Sequence, residues 1–454
     1  MRSDLAVVVL AAGKSTRMKS ELAKALHPLL GRPMLAYPLR AMQSLQPAKA
    51  IVVVGHQAAA VQAAFADWPV QFVLQEPQLG TGHAVQKALS ALDGSQPTVM
   101  VLCGDVPLIR AETLRDLYER HTTSGAAVTI LTATPEEPGP YGRIVRDDLG
   151  QVLKIVEARD ASPTELSIRE INTGIYCFQD RFLREALATL RSDNSQQEYY
   201  LTDVIATARE RNLHINTLKT ADAGAFQGVN NRVELAAVTR RLRQEINERH
   251  MLAGVTLIDP EATYIEDPVQ IGPDTVIFPN CYLLGQTVIG QGCLLEPNVK
   301  ISDSVIGDQV IIKMGTVITE SRVAEGVQLG PYAHLRPLSD IRPRAKIGNF
   351  VEVKKTVVHE GAKANHLTYL GDAVIGPQVN IGAGTITCNY DGKKKYQTTI
   401  EAGAFIGSNT SLVAPVTIGA GAYVGAGSTI TEDVPPGKLA IARGRQVIKD
   451  LKPK

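Results

Sequence analysis

The sequence predicts an α/β chain of two unlike halves: a doubly wound, Rossmann-like domain over residues 1–229, a linking helix over 230–253, and a parallel β-helix of hexapeptide repeats over 254–454. Three observations predict it. Short apolar runs alternate with helical patterns at the start, a charged segment without Gly or Pro follows, and a period of six fills the rest. The 454 residues allow two or three units at about 150 residues each. Aromatics make up 5% of the chain against 38 glycines, so the core is expected to be layers of small and aliphatic side chains.

In the first half the runs Ala6–Leu10, Ile51–Val54, Val70–Leu74, Val99–Leu102 and Val128–Thr132 are separated by helical stretches. Such runs mean a mostly parallel sheet covered on both faces. Ligands of open sheets sit beyond the carboxyl ends of the strands, so the loops after Leu10, Leu74 and Leu102 are where chemistry is expected. Asn231 to Ala253 follows as the linking helix, with Asn231 and Glu234 spaced as a capping box and Gly254 as its stop. From Ile400 the chain can be written IEAGAF, IGSNTS, LVAPVT, IGAGAY, VGAGST, ITEDVP, and the same phase recurs in IGPQVN, IGAGTI, IGPDTV, IGQGCL and IGDQVI. A Gly-rich linker would not hold an apolar residue in phase for so long. The register breaks around Arg336 to Arg344 and at Thr387 to Thr398, where loops on the binding face are expected.

Composition excludes several classes of function. Lys and Arg total 47 against 46 Asp and Glu, a net charge of +1, which leaves no overall field for a nucleic acid or an anionic membrane. The five cysteines, 103, 177, 281, 293 and 388, are odd in number and never spaced CxxC, which fits a reducing cytosol and argues against a disulfide scaffold or a structural zinc site. Leu5 to Ala12 reads as a buried first strand rather than the apolar part of a signal peptide, and no run reaches the roughly 18 to 20 residues of a membrane span. The expected location is the cytoplasm.

Strand Ala6–Leu10 runs into Ala11-Ala12-Gly13-Lys14-Ser15-Thr16-Arg17-Met18, a small-residue turn whose N–H groups can approach phosphates, with Arg17 and Lys24 as cations. It is not a Walker loop, because the position that needs the first Gly is Val8. Gln75, after Leu74, has an amide suited to the edge of a base, and Gly80-Thr81-Gly82 opens a helix. Leu102 leads into Cys103-Gly104-Asp105. A carboxylate at a strand end beside a phosphate loop is a natural Mg²⁺ ligand, although Asp105 before Val106-Pro107 also reads as a helix cap.

LAAGKSTRM with Lys24, QLGTGHA, LCGDVPL, YGRIV, Glu157 in IVEARD, and EINTGIY together resemble the sugar-nucleotide pyrophosphorylases. With the hexapeptide half attached, nearly the whole chain resembles the bacterial bifunctional N-acetylglucosamine-1-phosphate uridylyltransferases and glucosamine-1-phosphate N-acetyltransferases. The resemblance implies a nucleotidyltransferase domain, a left-handed β-helix, and the co-substrates UTP and acetyl-coenzyme A. It implies that Leu10, Ala11, Ala12 and Gly13 cradle the nucleotide, that Arg17 and Lys24 meet the phosphates, and that Gln75, Gly80 and Thr81 read the uracil. Cys103, Gly104 and Asp105 border the product, Gly142, Glu157 and Asn172 hold the N-acetylglucosamine, and Asp105 with Asn230 binds Mg²⁺. Attack of an ionised sugar phosphate on the α-phosphorus needs positioning and charge neutralisation rather than a base.

The β-helix carries a second polar set: Arg336, Glu352, Lys354, His366, Tyr369, Asn380, Asn389 and Tyr390. Arg336 and Lys354 are one coil of about eighteen residues apart, so they should stack as a phosphate site. His366 in KANHLTYLG is the one histidine of the set, and an imidazole titrating near neutrality suits a base for an amine attacking a thioester. By the resemblance His366 is the catalytic base and Glu352 the carboxylate that orients it. Arg336, Lys354, Tyr369 and Asn380 then bind glucosamine-1-phosphate, while Ala383, Asn389, Tyr390, Lys395, Ser408, Ala426 and Arg443 contact acetyl-coenzyme A. A rival route is an acetyl intermediate on Cys388. The basic end, with Arg445, Lys449, Lys452 and Lys454, serves coenzyme A phosphates or is a solvated tail.

The expected function is acetyl transfer to glucosamine-1-phosphate in the C-terminal half, then uridylyl transfer to N-acetylglucosamine-1-phosphate in the N-terminal half. The product, UDP-N-acetylglucosamine, would feed cell-wall precursors, and the family's homotrimer is expected. Two rivals keep both folds: a single-activity nucleotidyltransferase with the β-helix as an oligomerisation module, and a non-enzymatic exchange subunit. Two intact polar sets distinguish this chain from both.

Overall fold

The computed structural model describes residues 2–13 and 16–451. Lys14 and Ser15 of the phosphate turn, and Lys452 and Lys454 of the basic end, lie outside the described residues. Contacts divide the chain into two compact units, Met1–Arg240 and Arg241–Lys454. Among the described residues no helix is long and apolar enough to cross a membrane.

In the first unit the five apolar runs form strands Arg2–Ala11, Pro47–Val54, Gln71–Leu74, Thr98–Cys103 and Val128–Ala133. Consecutive apolar residues serve both faces: Ala6 and Val8 enter one buried layer, and Leu5, Val7 and Val9 enter the other. Helix Thr81–Leu89 covers the first layer, and helices Ala36–Gln43 and Ala111–Ser124 cover the second. The sheet is mostly parallel, as expected, with one strand of its main order reversed. Strand Ile171–Gln179 lies between Val128–Ala133 and Thr98–Cys103 and runs antiparallel to both. It is reached through the hairpin Arg143–Arg146 and Val152–Val156 instead of a helical crossover, and an apolar run does not reveal its own direction. The parallel part brings the strand ends level, since Leu10 pairs with both Val53 and Cys103, and Val54 pairs with Leu74.

Helix Arg232–Leu252 spans the division between the units. Asn231 Oδ1 accepts from the N–H groups of Val233 and Glu234, both at 2.9 Å, while Glu234 Oε2 accepts from Asn230 N at 2.6 Å. Two orphan donors of the first turn are so satisfied, and the carboxylate ties Asn230 to the helix start. Gly254 ends the helix at φ +95.

The second unit is a parallel β-helix of three sheets with 11, 10 and 9 strands. Successive coils repeat after 17 or 18 residues, as in Val276 to Leu294 to Ile311. One inward column runs Leu283, Ile301, Ile318, Leu335, Val353, Leu370, all fully buried. The expected loop at Arg336–Arg344 is absent: Arg322 pairs with Asp340, and Asp340 with Val357, at ordinary coil spacing. Leu338 (φ +64) and Arg344 (φ +56) take left-handed corners, so the sequence motif is lost while the register holds. The second break is a real insertion. Ile375 pairs with Ile400 across a longer coil whose extra residues form a hairpin closed at Tyr390 and Lys395.

Leu335→Ala removes a fully buried side chain between Ile318 and Val353. It should destabilise the second unit by about 2–5 kcal/mol, read as a lower denaturant midpoint for the C-terminal transition with the N-terminal one unmoved.

Candidate active sites

Beyond the level strand ends of the first unit lie two cavities of about 240 and 420 Å³ that share Leu10, Thr81, Cys103 and Asp105. The larger is bordered by Ala12, Gly13, Gln75, Gln78 and Gly80, and the smaller by Tyr141, Gly142, Glu157, Asn172, Thr202 and Asn230. Between them stands a charged cluster. Lys24 Nζ donates to the Asp105 carboxylate and, at 3.0 Å, to Asn230 Oδ1, which also accepts from Arg17 Nη2 at 3.0 Å. Ala11 and Gly104 adjoin Lys24 and Asp105, and Gly104 N donates to Leu10 O at 2.9 Å, which locks the phosphate turn to the neighbouring strand end.

The polar groups of the cavities are held in set orientations. Gln75 Nε2 donates to Gly80 O at 2.9 Å and lies 3.2 Å from His83 Nδ1, whose imidazole burial keeps neutral by lowering its pKa. Asn172 donates from Nδ2 to Tyr176 Oη at 2.6 Å and accepts at Oδ1 from Gly174 N at 3.1 Å. Glu157 accepts from the Thr202 hydroxyl at 3.2 Å, yet burial pushes its carboxyl up, and Asp203 and Asp160 act in the same direction. A Cβ at Gly142 would come 3.1 Å from Ile155 Cγ2 and 3.6 Å from Glu157 Oε1, so glycine keeps this wall open. Burial pushes the Cys103 thiol up to about 12, so it borders the pocket as a neutral group.

On the β-helix, Arg336 Nη1 donates to Glu352 Oε1 at 2.8 Å, one coil away. Lys354 Nζ lies 3.7 Å from Asp372 Oδ2, and Asn389 Nδ2 donates to the same oxygen at 2.6 Å and to Tyr369 Oη at 3.5 Å. Lys395 of the inserted hairpin approaches Lys354. That contact pushes the Lys395 ammonium down, while Lys354 is held up by Lys395 and then by Asp372. His366 Nδ1 lies 2.6 Å from Asn349 Oδ1, and the ladder pairs these two residues directly. Carried two residues further, the ladder puts Ala383 over His366, Ser408 over Ala383 and Ala426 over Ser408. Arg443 Nη1 donates to Ala426 O at 2.6 Å. Asn380 sits on the strand next to Lys363–His366.

Residues 7–204 match the model of the MobA-like NTP transferase domain, and 268–303, 286–320 and 397–432 match the bacterial transferase hexapeptide (six repeats). A protein of Trichlorobacter lovleyi named bifunctional protein GlmU is 55% identical over 445 residues, 98% of this chain and 97% of its own. Proteins of that name from Pelobacter propionicus and Enterococcus faecalis are 52% and 49% identical, each over 98% of this chain and 97% and 96% of their own. The chain belongs to the GlmU family. It is a bifunctional transferase, a nucleotidyltransferase and a hexapeptide acyltransferase in one chain, acting in UDP-N-acetylglucosamine synthesis.

Against the sequence expectations for a GlmU-family chain, the first unit gathers Arg17, Lys24, Asp105 and Asn230 at one point although they are far apart in sequence. Tyr141, Tyr176 and Thr202 were missed. The two tyrosines lie inside motifs read only for Gly142 and Asn172, and Thr202 follows no motif; contact alone brings it to Glu157. On the β-helix one expected pairing differs. The partner of the His366 ring is Asn349, while Glu352 is engaged by Arg336 and pairs in the ladder with Tyr369. The cause is the corner after Asn349, which turns Glu352 onto the next face of the coil. Asn389 is buried on its own coil against Asp372. The Cys388 sulfur lies 4.0 Å from the Ile386 carbonyl, to which it donates.

A carboxyl whose pKa is raised by folding loses stability when it ionises, so Glu157 costs stability above the ordinary carboxylate range and nothing below it. Glu157→Gln should therefore raise the melting temperature of the first unit near pH 7, with the gain vanishing near about pH 4. The same variant should weaken binding of the sugar phosphate, measured by calorimetric titration.

Proposed function

We propose that the two cavities of the first unit are the uridylyl-transfer site and that the polar column of the β-helix is the acetyl-transfer site, with the residues acting as follows. The observation that supports this most directly is the Lys24, Arg17, Asp105 and Asn230 cluster standing between a cavity with a base-reading amide and a cavity with sugar-sorting groups. Both hydrogens of the Gln75 amide are taken by Gly80 and His83, which leaves Oε1 to accept the one N–H that uracil presents on that edge. Gly80 and Thr81 close this end, and Leu10 to Gly13 run beneath the phosphates. Asn172, fixed by Tyr176 and Gly174, keeps one amide hydrogen and one lone pair for the acetamido group, and Glu157 takes a sugar hydroxyl. Arg17 and Lys24 neutralise the charge that gathers as the sugar phosphate oxygen meets the α-phosphorus.

Asp105 and Asn230 fit a divalent cation, because their oxygens already converge on a single ammonium, that of Lys24. Among the described residues no cluster of three or more His, Cys, Asp or Glu is set to hold a metal, which suits Mg²⁺, an ion that takes one or two protein oxygens and completes its shell with phosphates and water. Bound there, Mg²⁺ supplies charge neutralisation at the triphosphate.

In the β-helix Arg336 and Lys354 hold the phosphate of glucosamine-1-phosphate, with Tyr369 and Asn380 beside the sugar. His366 takes the amine proton at Nε2 as nitrogen bonds to the thioester carbonyl; the C–S bond breaks, and the imidazolium returns the proton to the leaving thiolate. Acetyl-coenzyme A lies along Ala383, Ser408 and Ala426 toward Arg443, with Asn389, Tyr390 and Lys395 at the acetyl end. The protein acts as a homotrimer in the cytoplasm. Tyr332, Phe350 and Leu367 form an exposed apolar ridge up one corner, the first two rings stacked at 5.6 Å. Each follows directly on the column of Asn349 and His366 or its continuation, so a second solenoid covering the ridge would wall the base.

A crossed pair of variants tests the two-site reading. Asp105→Asn should abolish uridylyl transfer and leave acetyl transfer intact, while His366→Ala should lower acetyl transfer by about 10²–10⁴ and leave uridylyl transfer intact when N-acetylglucosamine-1-phosphate is supplied. Product analysis by chromatography reads both, and loss of both activities from either change overturns the reading. Phe350→Asp should convert a trimer into monomers by light scattering and remove acetyl transfer only. A monomer that acetylates at full rate would refute the shared wall.

A further inference from the structure

We propose that Asn349 is a positioning residue for acetyl transfer: it holds the His366 ring with Nε2 toward the substrate amine and accepts the Nδ1 hydrogen when the ring becomes an imidazolium. The inference rests on the reading of His366 as the base.

Asn349 is tied to the next coil twice. Its backbone carbonyl accepts from Leu367 N at 3.0 Å, and its side-chain Oδ1 lies 2.6 Å from His366 Nδ1. The coils draw close here because residue 348 is glycine, where a Cβ would come 2.7 Å from Asn365 Cα. The two side chains meet because their backbones are ladder partners, which gives the contact a geometry that neither side chain could set alone.

A carbonyl oxygen only accepts, so Nδ1 carries the hydrogen and the lone pair of the neutral ring sits on Nε2. Proton transfer from the amine then places N–H groups on both nitrogens. The acceptor face of Asn349 suits that state as well as the neutral one, so no side chain has to turn during the step. Glu352 does not take this role: Arg336 holds its Oε1 at 2.8 Å, and its ladder partners are His334 and Tyr369. The residue on the coil beyond His366 is Ala383, which has no side-chain acceptor.

The test uses the full-length protein with His366→Ala, Asn349→Leu and Asn349→Asp. Asn349→Leu keeps the branched outline of the side chain and loses the acceptor. Its acetyl-transfer kcat should fall about 10–100-fold with KM for both substrates within about twofold, since the substrates touch other residues. Asn349→Asp keeps an acceptor at the same place and should restore kcat to within about threefold of the parent. The unchanged KM values show that the acetyl site is formed in both variants. A parental kcat in Asn349→Leu overturns the inference, as does an Asn349→Asp enzyme no better than Asn349→Leu. Parental acetyl transfer in His366→Ala would instead sink the reading of the base itself, so the two failures are distinguishable.

Discussion

In-register pairing of parallel strands is the constraint on which both halves of this protein depend. Where one face meets solvent, as on the β-helix, a ladder cannot slide, because a shift by one residue would turn an apolar column outward and a polar one inward; register, once set, aligns whatever follows the strands. In the first unit this levels the ends of Arg2–Ala11, Pro47–Val54, Gln71–Leu74 and Thr98–Cys103, so the loops that follow meet over one edge of the sheet. In the second it stacks residues one coil apart, and the fully buried column through Leu335 holds that stack in place. Chemistry scattered along the chain converges on these strand ends and columns.

Both sites hold their cations in the same manner. Lys24 rests on Asp105 and Asn230, Arg336 on Glu352, and Lys354 near Asp372. The pair of Arg336 and Glu352 is over a third exposed on each side, and such pairs are worth about 0–1 kcal/mol, so it opens at little cost. On the β-helix Lys395 of the hairpin stands beside Lys354, and the contact pushes the Lys395 ammonium down.

The smaller cavity of the first unit is built by the opposite means. Its walls are buried groups: burial pushes the Cys103 thiol and the Tyr176 hydroxyl up, and it raises the Glu157 carboxyl as well. This wall stands beside the charged cluster of Arg17, Lys24, Asp105 and Asn230. Glu157 retains its place because Thr202 donates to it, and Asn172 because both ends of its amide are tethered.

Much of this was legible in the chain. Apolar runs and a six-residue period determine the two architectures, since covering both faces of a sheet and filling a coil each demand a fixed spacing of apolar residues. The same holds for the phosphate turn, Lys24, Asp105 and the stacked Arg336 and Lys354, whose residue types and spacing carry their chemistry. The antiparallel strand Ile171–Gln179, the regular coil at Arg336–Arg344 and the pairing of Asn349 with His366 were decided only by the tertiary structure. Strand direction depends on how the chain returns, a left-handed corner can be built from Leu338 or Arg344 as well as from glycine, and a corner sends neighbours in sequence to different faces. Periodicity reports which residues are buried; which exposed side chains touch is settled by where the coils turn.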